Sequence, residues 1–451
     1  MNLLKKYKYI IGLYLVFFLF IIISSIIKVP YDIISPAGIN EVENVIEIDT
    51  DNEQSGSFNT VSVYSYDKVS LLTYIMALFD KKTTISKTYK VSNLSNALSY
   101  KSGTIQKEVS ITNALIAGYN LAKMYGYDVD IKYKYKGYIV DQYYTYMTPN
   151  TIQIGDIVTS INEYSLNDYP ISTALSKAEE TDKDGLLFKV LRNDQELEFT
   201  LTRNEYINYY GQKSSGYGLS GYDYYVIESS NPTYTLNEAN TLGPSGGLLQ
   251  ALSVFNALTS RFDITDGLKI VGTGTISLDG NVGAIGGIYQ KVICADIMDA
   301  DIFLVPVYRR NGYTEDYIKI SVNNTWKIGS YDTNILATSS NIPYINKGTW
   351  YIGNVDTNYS AYGSIITIND ESNMDNESNY LEAYRAYKDL KNPTMKFVPV
   401  STLREAINYL LIEQGKLDEV KQAESAYNLY KFNKHQDIKI NEWLDLIKEV
   451  A

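Results

Sequence analysis

The chain has 451 residues, 45% of them hydrophobic and 20% charged, a composition that excludes a disordered protein. Its 52 acidic residues against 40 basic ones give a net charge of −12, which excludes a broad basic face for nucleic acid. Cys294 is the one cysteine and His435 the one histidine, so neither an internal disulfide nor a transition-metal site is expected.

Taken from the start, Lys5, Lys6 and Lys8 precede an uncharged apolar run from Tyr9 to Ile27. As a helix that run spans about 28 Å, close to the thickness of a bilayer's hydrocarbon core. A cleaved signal peptide would have a shorter apolar core and a small-residue cleavage site. Neither is present, nor is a lipobox cysteine. Residues 1–30 are therefore expected to be a cytoplasmic tip and a retained transmembrane anchor that meets lipid over residues 9–27. The leading lysines place the amino terminus in the cytoplasm and the rest of the chain outside.

Pro30 and Pro36 stop the helix. Residues 31–130 alternate between strand-like runs (YDIISPAG, GSFNTVSV) and helical ones (LLTYIMALFD, ITNALIAGYNLAKMYG), a membrane-proximal α+β region. Over residues 131–205 the pattern changes. GYIVDQYYTYMTP reads as a strand and turn, and TIQIGDIVTSINEYSL as two short strands around Gly155–Asp156. PISTALSKAEETD is helical, and GLLFKVLRNDQELEFTLTRN is a hairpin turning at Asn193–Asp194. This order resembles a PDZ domain, a module that adds a peptide as an extra strand at a sheet edge. The usual carboxylate-binding loop is not recognisable around Tyr143–Met147.

At residues 241–250 the chain reads TLGPSGGLLQ and runs into the apolar stretch LLQALSVFNAL. Ser245 has two readings. Proline and serine at a helix start are ordinary capping chemistry. Alternatively, Ser245 is a nucleophile held where backbone N–H groups and the helix dipole favour negative charge. A serine needs a base. His435 lies in the polar stretch YKFNKHQDIK, where a surface role is the default. Lys291 follows Gly286 and Gly287 among Ile288, Val292, Ile293 and Ala295; from that window alone an outward-reaching lysine is the plainer reading.

Together these windows resemble the proteolytic domain of the Lon family. GPSGG stands where that family has G-P-S-A-G. TGTISLDGNVGAIGGIYQKVICA stands where it has its Gly-Gly and lysine segment, and DADIFLVPV and VPVSTLREAINYL follow in the family's order. The resemblance implies that Ser245 is the nucleophile and that Lys291, 46 residues on, is the general base. It implies that Thr273 positions the lysine. The N–H of Ser245 and one near Gly243 would form the oxyanion hole, since Pro244 has no N–H. Gly286 and Gly287 would let the lysine helix approach the serine. Gly246 replaces the family's alanine, and Leu242 stands where ATP-dependent members carry an acidic residue.

No G-x-x-x-x-G-K-[S/T] stretch is present, so no ATPase module of that type is expected. The whole chain resembles the bacterial membrane-anchored PDZ–Lon proteases. The expected architecture is α+β and multidomain: an N-terminal transmembrane helix, the 31–130 region, a PDZ-like β-rich domain at 131–205, and a Lon-type α+β proteolytic domain at 215–412. A Tyr/Ser/Asn-rich insertion would occupy 308–376, and residues 413–451 a helical extension. The function so implied is ATP-independent cleavage of extended or loosely folded segments of membrane or secreted proteins by a Ser–Lys dyad, without cofactor, in a possible homo-oligomer. The alternative is a catalytically silent scaffold that binds membrane-protein tails. A cell-wall hydrolase would need a carboxylate pair or metal cluster that the chain does not display.

Overall fold

The computed structural model describes residues 2–88, 95–143, 152–182, 185–207, 213–238, 241–261 and 263–306, with shorter stretches between 320 and 430. The fold is mixed α+β, with one apolar N-terminal helix and a curled sheet. Helix α1 (Asn2–Ile26) contains a 20-residue apolar segment, Tyr7–Ile26, long enough to cross a membrane. A span and a signal sequence share that length and composition. Its side chains stand in the open, Leu13 at 71% exposure. Ser24 and Ser25 return their hydroxyls to the carbonyls of Phe20 and Ile21, both at 2.6 Å, which hides polar groups on an apolar helix.

Strand β1 (Tyr31–Glu41) follows, then β2 (Ile46–Ile48), β3 (Ser57–Tyr66), α2 (Leu71–Ala77), β4 (Thr84–Lys87) and α3 (Asn96–Met124). Pro36 sits in β1 where the register with β3 shifts, so the missing N–H falls at a bulge. A second group comprises β5 (Asp130–Tyr143), β6 (Ile157–Ile161), β7 (Tyr164–Ser165), α4 (Ile171–Thr181), β8 (Leu186–Arg192), β9 (Gln195–Leu201), the pair β10 and β11 (Asn204–Ile207, Lys213–Gly216) and β12 (Leu219–Asn231). The third group is β13 (Tyr234–Leu236), α5 (Gly247–Leu258), β14 (Lys269–Gly272), β15 (Thr275–Ile276), β16 (Val282–Gly283), α6 (Ile288–Ile297), β17 (Ile302–Pro306), β18 (Ile320–Ser321), β19 (Ile342–Asn346), β20 (Thr349–Gly353), β21 (Thr367–Ile368), β22 (Lys396–Val400) and α7 (Leu403–Glu413).

The larger sheet has eight strands in the order β20-β19-β22-β17-β14-β3-β1-β4. Its centre is parallel: β14 pairs with β3 on one side and β17 on the other, and β17 with β22. Parallel strands covered on both faces read as continuous apolar runs, as in IFLVP of β17, where every residue is buried. Alternation sorts the side chains. Phe58, Ile270, Ile302, Leu304 and Val398 join α3, α5 and α7 in one core. Val61, Val271, Phe303, Val305 and Phe397 join α6 in the other. Residues 31–130 and 215–412, which the sequence reading sets apart, thus share one sheet and one core.

The smaller sheet runs β12-β5-β6-β8-β9, with β7 against β6. It has its own core, including Val140, Val158, Ile161, Phe188 and Val190, on which Ala174 and Ala178 of α4 pack. The β8–β9 hairpin turns on Asn193 and Asp194, both left-handed at φ 50° and 61°, the two-residue geometry that matches strand twist. The expected strand before Gly155 is instead a turn. Asp156 accepts from the N–H of Gln153 at 2.7 Å and closes it. The two Asp156 oxygens each take a 2.7 Å bond from the Arg192 guanidinium.

Residues 144–147 of the expected carboxylate loop, most of the 308–376 insertion, and His435 with the chain beyond 430 lie outside the described residues.

Candidate active site

Helix α5 is buried almost throughout, its apolar side chains broken by a buried polar stripe of Gln250, Ser253 and Asn256. Leu248, Leu249, Ala251, Leu252 and Phe255 are fully buried. Ser245 stands just before it, partly exposed. The helix-start reading of this serine does not hold. The N-cap is Gly246, with φ −88° and ψ −8°, and no side chain caps the helix. Among the described residues the Ser245 hydroxyl has no hydrogen-bond partner.

The backbone around Ser245 is tied down on two sides. On one side is α3: the carbonyl of Gly103 accepts from Gly243 N–H at 3.0 Å, and the Ser110 hydroxyl donates to the Pro244 carbonyl at 2.9 Å. On the other side the Ser245 carbonyl accepts from Gly274 N–H at 2.8 Å and from the Thr273 hydroxyl at 3.1 Å. Gly246 is a close approach. A Cβ there would lie 2.9 Å from the Thr60 methyl on β3.

Lys291 arrives from the opposite face of the sheet. It lies on α6 and is 3% exposed, between Ile288 and Val292, which are fully buried. The outward-reaching role that its own window favoured is therefore not the observed one. Its Nζ donates to Thr273 Oγ1 at 3.2 Å. Thr273 is fully buried and follows β14 directly, so it sits at the carboxyl end of a central parallel strand. There the two helix layers meet, and open α/β sheets bind ligands at such edges. A chain of two hydrogen bonds runs from the Lys291 amine through Thr273 to the Ser245 carbonyl. No hydrogen bond joins the Ser245 hydroxyl directly to that amine among the described residues.

Two expectations change. The Gly243 N–H is committed to Gly103, so it is not available to an oxyanion. The N–H groups of Ser245 and Gly246 have no partner among the described residues and lie at the positive end of α5. Of the glycine pair before Lys291, only Gly287 makes a close approach, and it is to the sheet. Gly287 caps α6 at φ 66°, and a Cβ there would meet Val63 and Ile34 of the sheet at 3.2 and 3.5 Å; Gly286 faces open space.

Sequence reasoning read the second half of α3 as a helix but missed its contacts with the Ser245 segment. Gly103, Gln106, Ser110 and Asn113 recur at three- and four-residue steps and make one face of that helix. Asn113 Nδ2 donates to the Ile276 carbonyl at 3.1 Å, on the strand after Thr273. Gln106 donates at 2.6 Å to Asp141 of β5, whose carboxyl burial pushes upward. The three- and four-residue spacing of these residues was the available signal.

Other chemistry is sparse. Cys294, on α6, is buried, and burial pushes its thiol up, away from thiolate reactivity. Among the described residues no three His, Cys, Asp or Glu side chains are placed to hold a metal ion. A polar cavity of about 370 Å³ lies at the far end of α5, lined by Glu43, Asp51, Asn256, Arg261 and Asp263, away from Ser245. No protein-family model matches the chain, and a comparison with curated proteins finds no match.

Proposed function

We propose that this chain is a membrane-anchored, ATP-independent serine endopeptidase that uses Ser245 as nucleophile and Lys291 as general base. One observation carries the reading. A serine whose hydroxyl has no capping role stands at the mouth of a buried helix, linked through Thr273 to a lysine that is 3% exposed. A buried amine held by a fixed hydroxyl beside a serine segment has the geometry expected of a general base.

In the proposed reaction the Lys291 amine takes the Ser245 proton as Oγ attacks a peptide carbonyl. The side chains close the gap between them when substrate is bound, since catalytic hydrogen bonds tighten in the complex. The N–H groups of Ser245 and Gly246 receive the oxyanion. The Lys291 ammonium returns its proton to the leaving amine, and water releases the acyl group. Thr273 holds the amine by accepting one of its hydrogens and keeps the serine loop in place with its own. In this reading the larger sheet and its helices form the Lon-type unit and the smaller sheet the PDZ-like module. Helix α1 is the anchor, with the catalytic unit outside the cell membrane.

The missing direct bond between the Ser245 hydroxyl and Lys291 favours the second reading, a silent scaffold for membrane-protein tails. One experiment separates the two. The detergent-solubilised chain is incubated with an unstructured protein without nucleotide, and fragment masses are read beside Ser245→Ala and Lys291→Ala. Fragments from the parent alone support the protease. Cleavage retained in Lys291→Ala sinks the dyad, and an inert parent favours the scaffold.

A further inference from the structure

Helix α2 is a problem in solution. The run LLTYIMALF, residues 71–79, has one polar member, Thr73. Tyr74 and Ala77 pack inward on Val29, Ile33 and Ile85. The outward side is left bare: Met76 is 65% exposed, Leu78 59% and Phe79 85%. Neighbouring exposed apolar groups of this size mark a surface that something covers.

The occupant follows from where α2 is fixed. Leu71 N–H donates to the carbonyl of Ile27 at 2.8 Å, one residue past the end of α1. Val29 N–H donates to Val69 at 2.9 Å, and Val69 N–H to Tyr31 at 3.0 Å. Tyr74 packs its ring on Tyr31 at 4.7 Å. Helix α2 also contacts α1 itself, and α1 ends at Ile26, within its apolar segment. It is therefore held beside the last turns of the anchor, not out on the catalytic body. Past Phe79 the chain turns sharply: Asp80 accepts from Lys82 N–H at 3.0 Å and from the Thr83 hydroxyl at 2.6 Å. That turn leaves Phe79 at a tip, with exposed Lys81 and Lys82 beside it.

We propose that α2 and the Leu78–Phe79 tip lie in the headgroup–acyl boundary of the bilayer that α1 crosses, as a second membrane contact. Apolar side chains enter the boundary, and the two lysines meet lipid phosphates at its surface. A second copy of the chain would not use the continuity with α1, whereas the bilayer is already beside it. The inference rests on α1 being an anchor and is independent of catalysis. Its effect is to fix the tilt of the larger sheet at the membrane, since β1 and β4 grip the same segment.

The test uses the full chain in vesicles of phosphatidylcholine and phosphatidylglycerol, with an environment-sensitive fluorophore on single cysteines. Positions are Phe79→Cys, Met76→Cys, Leu13→Cys within α1, and Asp194→Cys at the distant hairpin tip; native Cys294 is buried and stays unlabelled. Docking predicts that labels at 79 and 76 are quenched by nitroxide lipid and spared by aqueous iodide, as at 13, with the reverse at 194. Iodide quenching at 79 and 76 with lipid quenching at 13 would overturn docking while keeping the anchor. Protection of 79 from both quenchers would mean a protein covers the patch and would also overturn it. Iodide quenching at 13 would overturn anchor and docking together.

Discussion

The amine of Lys291 donates to the hydroxyl of Thr273 across 3.2 Å, and both side chains are almost wholly out of water. The same hydroxyl passes its hydrogen to the Ser245 carbonyl. Thr273 therefore serves two partners at once, one on each face of the larger sheet.

That double duty gives the first prediction. Thr273→Val keeps the shape and removes the hydroxyl, so the amine and the serine loop lose their common fixture. If the chain is a protease, peptide cleavage falls about 100-fold, the scale of a catalytic group displaced by an ångström. Thr273→Ser restores most of it. Peptide-cleavage rates and thermal melts of the three forms check this; a loss that tracks melting temperature alone would make the role structural.

The serine and lysine are expected to act as one unit. Ser245→Ala and Lys291→Ala each remove cleavage, and the double variant is no worse than either. Lys291→Arg is equally inactive, because a guanidinium does not give up its proton near neutral pH. Rates from a fluorogenic peptide measure the non-additivity.

Asp263 sets an acid limit on stability. Desolvation raises its carboxyl, but bonds from the Ser55 and Thr265 backbone and hydroxyl groups outweigh it and hold it down at about 2. The folded value is below the unfolded one, so its contribution is whole above about pH 4 and is lost as pH falls towards 2. With screening at this half-exposed site, Asp263→Asn costs about 1 kcal/mol at pH 7. Denaturant midpoints of parent and variant should differ at neutral pH and converge in acid.

The smaller sheet has its own weak point. Asp156 is 2% exposed and carries both arms of Arg192. Asp156→Ala removes both of these bonds to Arg192 and opens the Gln153 turn, at a cost of about 3 kcal/mol. Hydrogen exchange should quicken in β6 and β8 and stay unchanged in α5, whose core is separate.

Local signals were legible in the sequence where one short window holds all the physics. The apolar run after Lys8 became α1, and Asn193–Asp194 became a tight hairpin because both residues tolerate left-handed backbone. Ser245 before a largely apolar run was visible as a helix mouth. Lys291 was not readable as buried, since its neighbours are also those of an outward-reaching lysine. Burial there depends on β14 and β17, which lie on either side of α6 in the chain. The contacts of Gly243 and Gly287 were not readable either. Their partners, Gly103 on α3 and Val63 on β3, are far away in sequence, and no local pattern encodes them.

The parallel pairing of β3 with β14 has a consequence for synthesis. Strand β3 leaves the ribosome about 200 residues before its neighbour exists, and the whole smaller sheet is made in between. Pairings this remote are slow to form. The emerging chain thus carries an unmatched strand edge until residues near 272 arrive, and the central sheet waits for β22 near residue 400. Fragments that stop short of that point lack a strand of the sheet on which Lys291 and Thr273 are set.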